Sequence, residues 1–321
     1  MFVGMDHGTT AIRFGTDDGR VFELSRECAK TMPDPLLLES ILSGLGIKAE
    51  DIELFAISYS MGDGISEITD MERVTNRGVV KMGVAGIHIG GGTHVFDVIK
   101  RSGIPAIVIP GIHARSDIDR RMKMFSHGAS PEKVGIAYHA HLQGYNTFIV
   151  SDVSSNTVTV GVVDGDIVGA LDACIFAPGM LQGPLDLDAI RDIEAGKISA
   201  NWAFSQSGVL KHTNFSSVEE LLSAENESSR LALERIALFA AMEIAGMRIL
   251  VNEHSSCEAI FLSGGMDKVR KTVEELLDTE IIGLDKWTAA IGCAEIARDV
   301  YRGKKEVLGI KVDWSPTNKF K

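Results

Sequence analysis

Three groups of residues in this chain could do chemistry, and each of them follows an apolar run. The first is Asp6-His7-Gly8-Thr9-Thr10, directly after Phe2-Val3-Gly4-Met5. Gly8 lets the backbone approach a ligand, the Thr9 and Thr10 hydroxyls and nearby N–H groups can donate to phosphate oxygens, and Asp6 can hold a hydrated Mg2+ beside them. The same residues also make an ordinary hairpin tip, so context has to decide. The second group, Asp152-Val153-Ser154-Ser155-Asn156, repeats the pattern after Phe148-Ile149-Val150-Ser151, with its Asp 146 positions beyond Asp6. The third is Gly264-Gly265-Met266, after the run Ala259-Ile260-Phe261-Leu262-Ser263. Missing side chains at a strand-to-helix turn let adenine or an α-phosphate lie against the backbone, although a close turn alone would use the same glycines.

A fourth candidate is His139, in Tyr138-His139-Ala140-His141. Residues two apart do not share a helical face, so the pair is a poor metal clip. The readings left are hydrogen-bonded histidines at a domain junction or a phosphate-contacting His139.

The elements that must position these groups follow from patterning. Asp6 and Asp152 each end an apolar strand that turns and returns as a second strand, the first toward the hairpin turn Asp17-Asp18-Gly19 and the second toward Asp164-Gly165-Asp166. Asp34 to Leu45 reads as a helix with Leu36, Leu37, Ile41 and Leu45 on one side, and Ile52 to Tyr59 as a buried strand leading into the Gly-rich loop Ser60 to Gly64. The glycine run from Gly83 to Thr93, containing His88, precedes a helix from His94 to Ser102 and could bind an anion or pack tightly. Ser130-Pro131-Glu132-Lys133 starts a helix with Pro in its first turn, and Glu225 to Val251 forms a long amphipathic one. The last helix, Lys286 to Tyr301, shows a small-residue face of Ala289, Ala290, Ala294 and Ala297. Two strand-Asp-turn-strand units indicate a duplicated α/β architecture, with domains at 1–147 and 148–321 and the extreme C-terminus packing back on the first.

Composition narrows the partners. With 321 residues and 45% hydrophobic content the chain can bury a sizeable core. A net charge of -12 argues against nucleic acid or an anionic membrane surface. Cys28, Cys174, Cys257 and Cys293 show no C-x-x-C spacing, which predicts buried thiols in a reducing compartment. Acidic residues begin at Asp6 and no basic-then-apolar leader precedes them, so a cytoplasmic protein is expected.

In this order, two Asp-bearing hairpins and a Ser-Gly-Gly turn resemble the two phosphate motifs and the adenosine motif of the acetate kinase, sugar kinase, Hsp70 and actin (ASKHA) superfamily. The resemblance covers nearly the whole chain. It implies two ribonuclease H-like domains closing on a cleft for ATP and Mg2+, with Asp6 and Asp152 toward the metal and His139 near the chemistry. Ser102-Gly103-Ile104-Pro105-Ala106-Ile107-Val108 and Ala137-Tyr138-His139-Ala140 are similar to segments of acetate and butyrate kinases, and the whole sequence is similar to the archaeal methanogenesis marker protein 12 family. That similarity implies a methanogen's cytoplasm and, from the kinases, a homodimer.

The departures are specific. Val108-Ile109-Pro110 has no carboxylate where butyrate kinases place an Asp, neither Ser60 to Gly64 nor Gly183-Pro184 supplies the phosphate-binding Arg, and Ser154 to Asn156 replace glycines. One cationic clamp can be worth ~10^3 in phosphoryl-transfer rate, so carboxylate phosphorylation is not expected. Arg115, Arg120, Arg121 or Lys123 could substitute from a neighbouring loop. Two functions follow: an ATP- and Mg2+-dependent ATPase or phosphotransferase acting on an unidentified small molecule, or a nucleotide-gated assembly or regulatory protein working through a protein partner.

Overall fold

The computed structural model describes residues 1–59, 64–79 and 90–315. Residues 60–63 of the Gly-rich loop expected at 60–64 and most of the later glycine run, His88 included, lie outside the described residues.

The first unit opens with β1 (Phe2–Asp6), β2 (Ala11–Thr16) and β3 (Val21–Ser25), an antiparallel meander. Helices α1 (Arg26–Thr31) and α2 (Asp34–Leu45) follow, and then β4 (Leu54–Ser58) lies parallel to β1. Helix α2 runs as its pattern predicts, with Pro35 in its first turn and a left-handed Gly46 at its end. It buries Leu37, Ile41 and Leu45, whereas Leu36, expected on that side, points outward at 54% exposure. Next come β5 (Ile68–Asp70), α3 (Gly92–Ser102) and β6 (Ala106–Ile109), the last parallel to β4.

A short ribbon of β7 (Ile112–His113) and β8 (His127–Ala129) leads to α4 (Pro131–His141). The second unit repeats the opening: β9 (Phe148–Val153), β10 (Thr157–Val163) and β11 (Asp166–Leu171) form another antiparallel meander. Helices α5 (Leu187–Glu194), α6 (Ala200–Ser205), α7 (Val218–Ser223) and α8 (Glu227–His254) intervene before β12 (Ala259–Ser263). Then come α9 (Asp267–Leu277), β13 (Ile282–Gly283), α10 (Thr288–Tyr301), β14 (Glu306–Val307) and β15 (Ile310–Asp313).

The strand orders show the duplication directly. One sheet contains β3-β2-β1-β4-β6 and the other is β11-β10-β9-β12-β13, with β4 parallel to β1 and β6 in one and β12 parallel to β9 and β13 in the other. The first sheet is extended by β5, β15 and β14, so the C-terminal strand lies parallel to β5. Asp6 ends β1 and Asp152 is the second-last residue of β9, which puts both at the carboxyl ends of equivalent strands. Open α/β sheets bind ligands there.

Helices α4 and α10 hold the halves together. Helix α10, which closes the second unit, packs across β1, β2 and β4 of the first, while α4, which closes the first, reaches β9 and β10 of the second. The small-residue face read from α10 is the reason they approach so closely. A side chain at Gly4 would lie 2.1 Å from the Ala290 carbonyl, and one at Gly292 would lie 2.0 Å from the Gly135 carbonyl. Any larger residue at these points would force the backbones apart.

The cysteine expectation needs correction. All four thiols are free, but only Cys293 is buried, and Cys28 and Cys174 are exposed because they sit on the short surface helix α1 and in the turn after β11. Among the described residues no helix is long and apolar enough to cross a membrane.

Candidate functional site

Asp152 sits in a buried charged cluster built on Lys133, a residue whose local sequence reads only as part of a helix start, and Asp6 lies within electrostatic range of that cluster without bonding to it. Lys133, in the first turn of α4, places its Nζ 2.7 Å from Asp152 Oδ2 and 3.2 Å from Glu132 Oε1. All three side chains are at most 10% exposed. The Ser130 hydroxyl also donates to Glu132 Oε1, while Glu132 Oε2 is buried with no hydrogen-bond partner. At the first hairpin, Asp6 is 5% exposed and pairs with Arg13 Nη1 at 3.3 Å.

Electrostatics tie the cluster together. Burial pushes the Asp6 carboxyl up to about 6, the Glu132 and Asp152 charges add to the rise, and Arg13 and Lys133 oppose it. Burial alone would lower the Lys133 ammonium, but Asp152 and Glu132 overcome it and hold the group above the ordinary lysine value. Beneath them the Cys293 thiol is raised, first by burial and then by Asp6 and Glu132, so it stays protonated. Three carboxylates therefore share one ammonium, bonded to two of them, and one guanidinium, bonded to the third.

Each hairpin tip is held differently. In the first, Arg26 donates from Nε to the Gly8 carbonyl at 2.8 Å and from Nη1 to the Gly90 carbonyl at 2.9 Å, and its Nη2 meets the His7 ring. Burial, with Arg26 beside it, lowers the His7 imidazole to about 3, so His7 is a neutral strut. Thr9 is half-buried and Thr10 exposed, and neither hydroxyl bonds any described residue. In the second, the Ser154 hydroxyl donates to Asp152 Oδ2 at 3.1 Å. The backbone N–H groups of Met180, Leu181 and Gln182 donate to the carbonyls of Ser154 and Ser155, and Gly179 packs on the Asn156 backbone.

The Gly264-Gly265-Met266 turn lies against this second tip. Gly264 has φ +107°, and a Cβ there would sit 1.8 Å from the Val153 carbonyl, so only glycine fits. Gly265 faces open space, and Met266 precedes α9. His139 is placed elsewhere: its Nδ1 lies 3.0 Å from Glu295 of α10, whose hydrogen bond raises the imidazole above its ordinary value. His141 bonds the Tyr145 carbonyl. Of the substitute cations, Arg121 is tied to Asp119 and Glu253 at the surface.

The donor set fits a hard divalent cation. It is all oxygen, it carries excess negative charge, and it includes the unpartnered Glu132 Oε2. Among the described residues no group of three or more His, Cys, Asp or Glu side chains is placed to hold a metal ion by itself, so a cation here would need waters or phosphate oxygens to complete its shell. Asp6 and Asp152 would hold it.

Solved structures with a similar fold include kinases. The chain superposes on Porphyromonas gingivalis acetate kinase with a TM-score of 0.57 at 12% identity, covering 90% of each chain. A propionate kinase of Francisella tularensis gives 0.56 at 14% identity over 92% of this chain and 91% of that one. A Streptomyces griseus ROK family glucokinase, solved with glucose and AMPPNP, gives 0.51 at 14% identity over 93% and 99%. The chain thus has the two-unit α/β fold of the acetate kinase, sugar kinase and actin-like class. No family model matches the chain. It is 52% identical over 322 residues to a UPF0285 protein of Methanosarcina mazei, covering 98% of this chain and 99% of that one, and 42% identical over 331 residues to one from Methanocaldococcus jannaschii, covering 97% and 99%. The chain belongs to the UPF0285 family.

Proposed function

We propose that the protein binds ATP with Mg2+ between its two hairpins and acts as a phosphotransferase or ATPase. Thr9 and Thr10 cradle phosphate from one side, Ser154, Ser155 and Asn156 from the other, and Gly264, Gly265 and Met266 receive the adenosine end. Bound Mg2+ would neutralise phosphate charge and polarise the transferring group. The observation that supports this reading most is the placement of buried Asp6 and Asp152 at the carboxyl ends of equivalent strands of duplicated sheets, within electrostatic range of each other. The kinase-like fold of the solved neighbours supports it, and the methanogen origin of the relatives supports a role in methane-forming metabolism.

Calorimetric titration with Mg-ATP tests it. The native protein is expected to bind, and Asp6→Ala and Asp152→Ala to bind at least about tenfold more weakly, the loss of one charge-assisted contact. Equal heats from all three would remove the assignment. A second reading, a nucleotide-gated binding protein without turnover, is favoured by the closed packing of loop 179–182 on the second tip. Tight binding without phosphate release would select it.

A further inference from the structure

Lys133 occupies a position for which packing alone gives no reason. Helices α4 and α10 meet at Gly135 and Gly292, and each closes one of the two duplicated units. Aligned on those glycines, the first turn that carries Glu132-Lys133 on α4 carries Ala289-Ala290 on α10. Small apolar residues therefore suffice at one of two equivalent places, and a buried ion pair in general contributes little net stability over an apolar replacement. The lysine is there for another purpose.

The neighbouring charges indicate which purpose. A polyphosphate entering between the hairpins adds negative charge to a cluster that already holds Asp6, Glu132 and Asp152. Of the described cations beside it, Arg13 is shared between Asp6 and Glu23, and Arg26 is committed to the Gly8 and Gly90 carbonyls. Lys133 alone can change partner without dismantling a turn. Its ammonium is a compact charge with three donors, and Glu132, steadied by Ser130, keeps one of them if the bond to Asp152 is released.

We propose, building on the nucleotide reading above, that Lys133 is the phosphate-contacting cation of this site: in the ligand-free protein Asp152 and Glu132 hold it, and on ligand binding it exchanges Asp152 for a phosphate oxygen. Lys133 and a divalent cation then compete for the same Asp152 carboxylate. Removing the lysine should strengthen binding of the metal alone and weaken binding of the nucleotide, a pair of opposite changes that a merely structural residue would not produce.

The experiment measures Mn2+ alone by the loss of its free paramagnetic signal, and Mg-ATP by calorimetry, in native protein, Lys133→Met and Lys133→Arg. Lys133→Met is expected to bind Mn2+ about threefold more tightly and Mg-ATP at least about tenfold more weakly, with Lys133→Arg recovering part of the nucleotide affinity. If Lys133→Met does not fold, Lys133→Gln, which removes the charge but keeps a hydrogen-bonding end for Asp152 and Glu132, takes its place in the same two measurements. Native protein that binds Mg-ATP beside a lysine-free variant that binds it equally well overturns this proposal and leaves the nucleotide reading standing. Native protein that does not bind Mg-ATP brings down both.

Discussion

Helices α4 and α10 do the same structural work with opposite materials. Both close a sheet unit, both cross to the other unit, and they touch backbone to backbone at Gly135 and Gly292. Yet α10 begins with apolar side chains at Ala289 and Ala290, whereas α4 begins with a buried Glu132-Lys133 pair beside Asp152. The comparison separates what the fold requires, which is small residues at a close crossing, from what the site has added. The hairpins differ in the same sense, because Asp6 is neutralised from within its own sheet by Arg13 while Asp152 is neutralised from the linking helix.

The largest expected effect comes from making α4 resemble α10 one residue at a time. Lys133→Ala leaves Glu132 and Asp152 buried without their cation and should cost about 3 kcal/mol at pH 8, near the low end for breaking a buried pair. Adding Glu132→Ala should recover at least about 1 kcal/mol of that, because the two residues are coupled. Urea unfolding measures both. Strict additivity of the two losses would mean that the turn is not a charge device, and the comparison with α10 would fail.

Asp6 sharpens the contrast between the hairpins. Its carboxyl titrates near 6 in the folded protein against 3.8 for the free group, so its contribution to stability is fully present below pH 3.8 and is lost as pH rises through about 6. Asp6→Asn should therefore stabilise the protein at pH 8 by on the order of 2 kcal/mol and flatten its stability between pH 4 and 6.5. Asp152→Asn, which takes a partner from Lys133, should destabilise it at the same pH. The same substitution at equivalent places then has opposite signs, and equal signs would show that the two carboxylates are interchangeable.

How much of this the sequence reveals depends on the range of the interactions involved. The hairpins, the Gly264 turn and helices α2, α8 and α10 are written in local patterns of apolar runs, turn glycines and caps, and the structure has them where those patterns lie. The 146-residue offset between Asp6 and Asp152 carries the duplication, because equivalent strands repeat equivalent chemistry. Glu132 and Lys133 were not legible as site residues. After Ser130-Pro131 they read only as the first turn of a helix, and it is the docking of α4 against α10 and β9 that buries them. The one local hint was that Val134, Ile136, Ala137, Tyr138 and Ala140 leave α4 without a polar face, which means a helix buried all round. The strand pair β14 and β15 escaped notice because two and four residues with a charged, exposed edge give no periodicity.

The smallest effect lies on the α4–α10 seam itself, at His139. Its imidazole is 3.0 Å from Glu295, and the hydrogen bond raises its pKa against the opposing effect of burial. A histidine raised by a partner stabilises the fold fully below its unfolded value of 6.5 and loses that contribution as pH rises through the higher folded value. Glu295→Gln should therefore cost about 0.5 to 1 kcal/mol at pH 6 and close to nothing at pH 9, a single pair that solvent still partly reaches. Mg-ATP affinity should not move, because neither residue contacts Asp6, Lys133 or Asp152. A loss of nucleotide binding in that variant would place His139 in the chemistry after all, and the seam and the site would be one device instead of two.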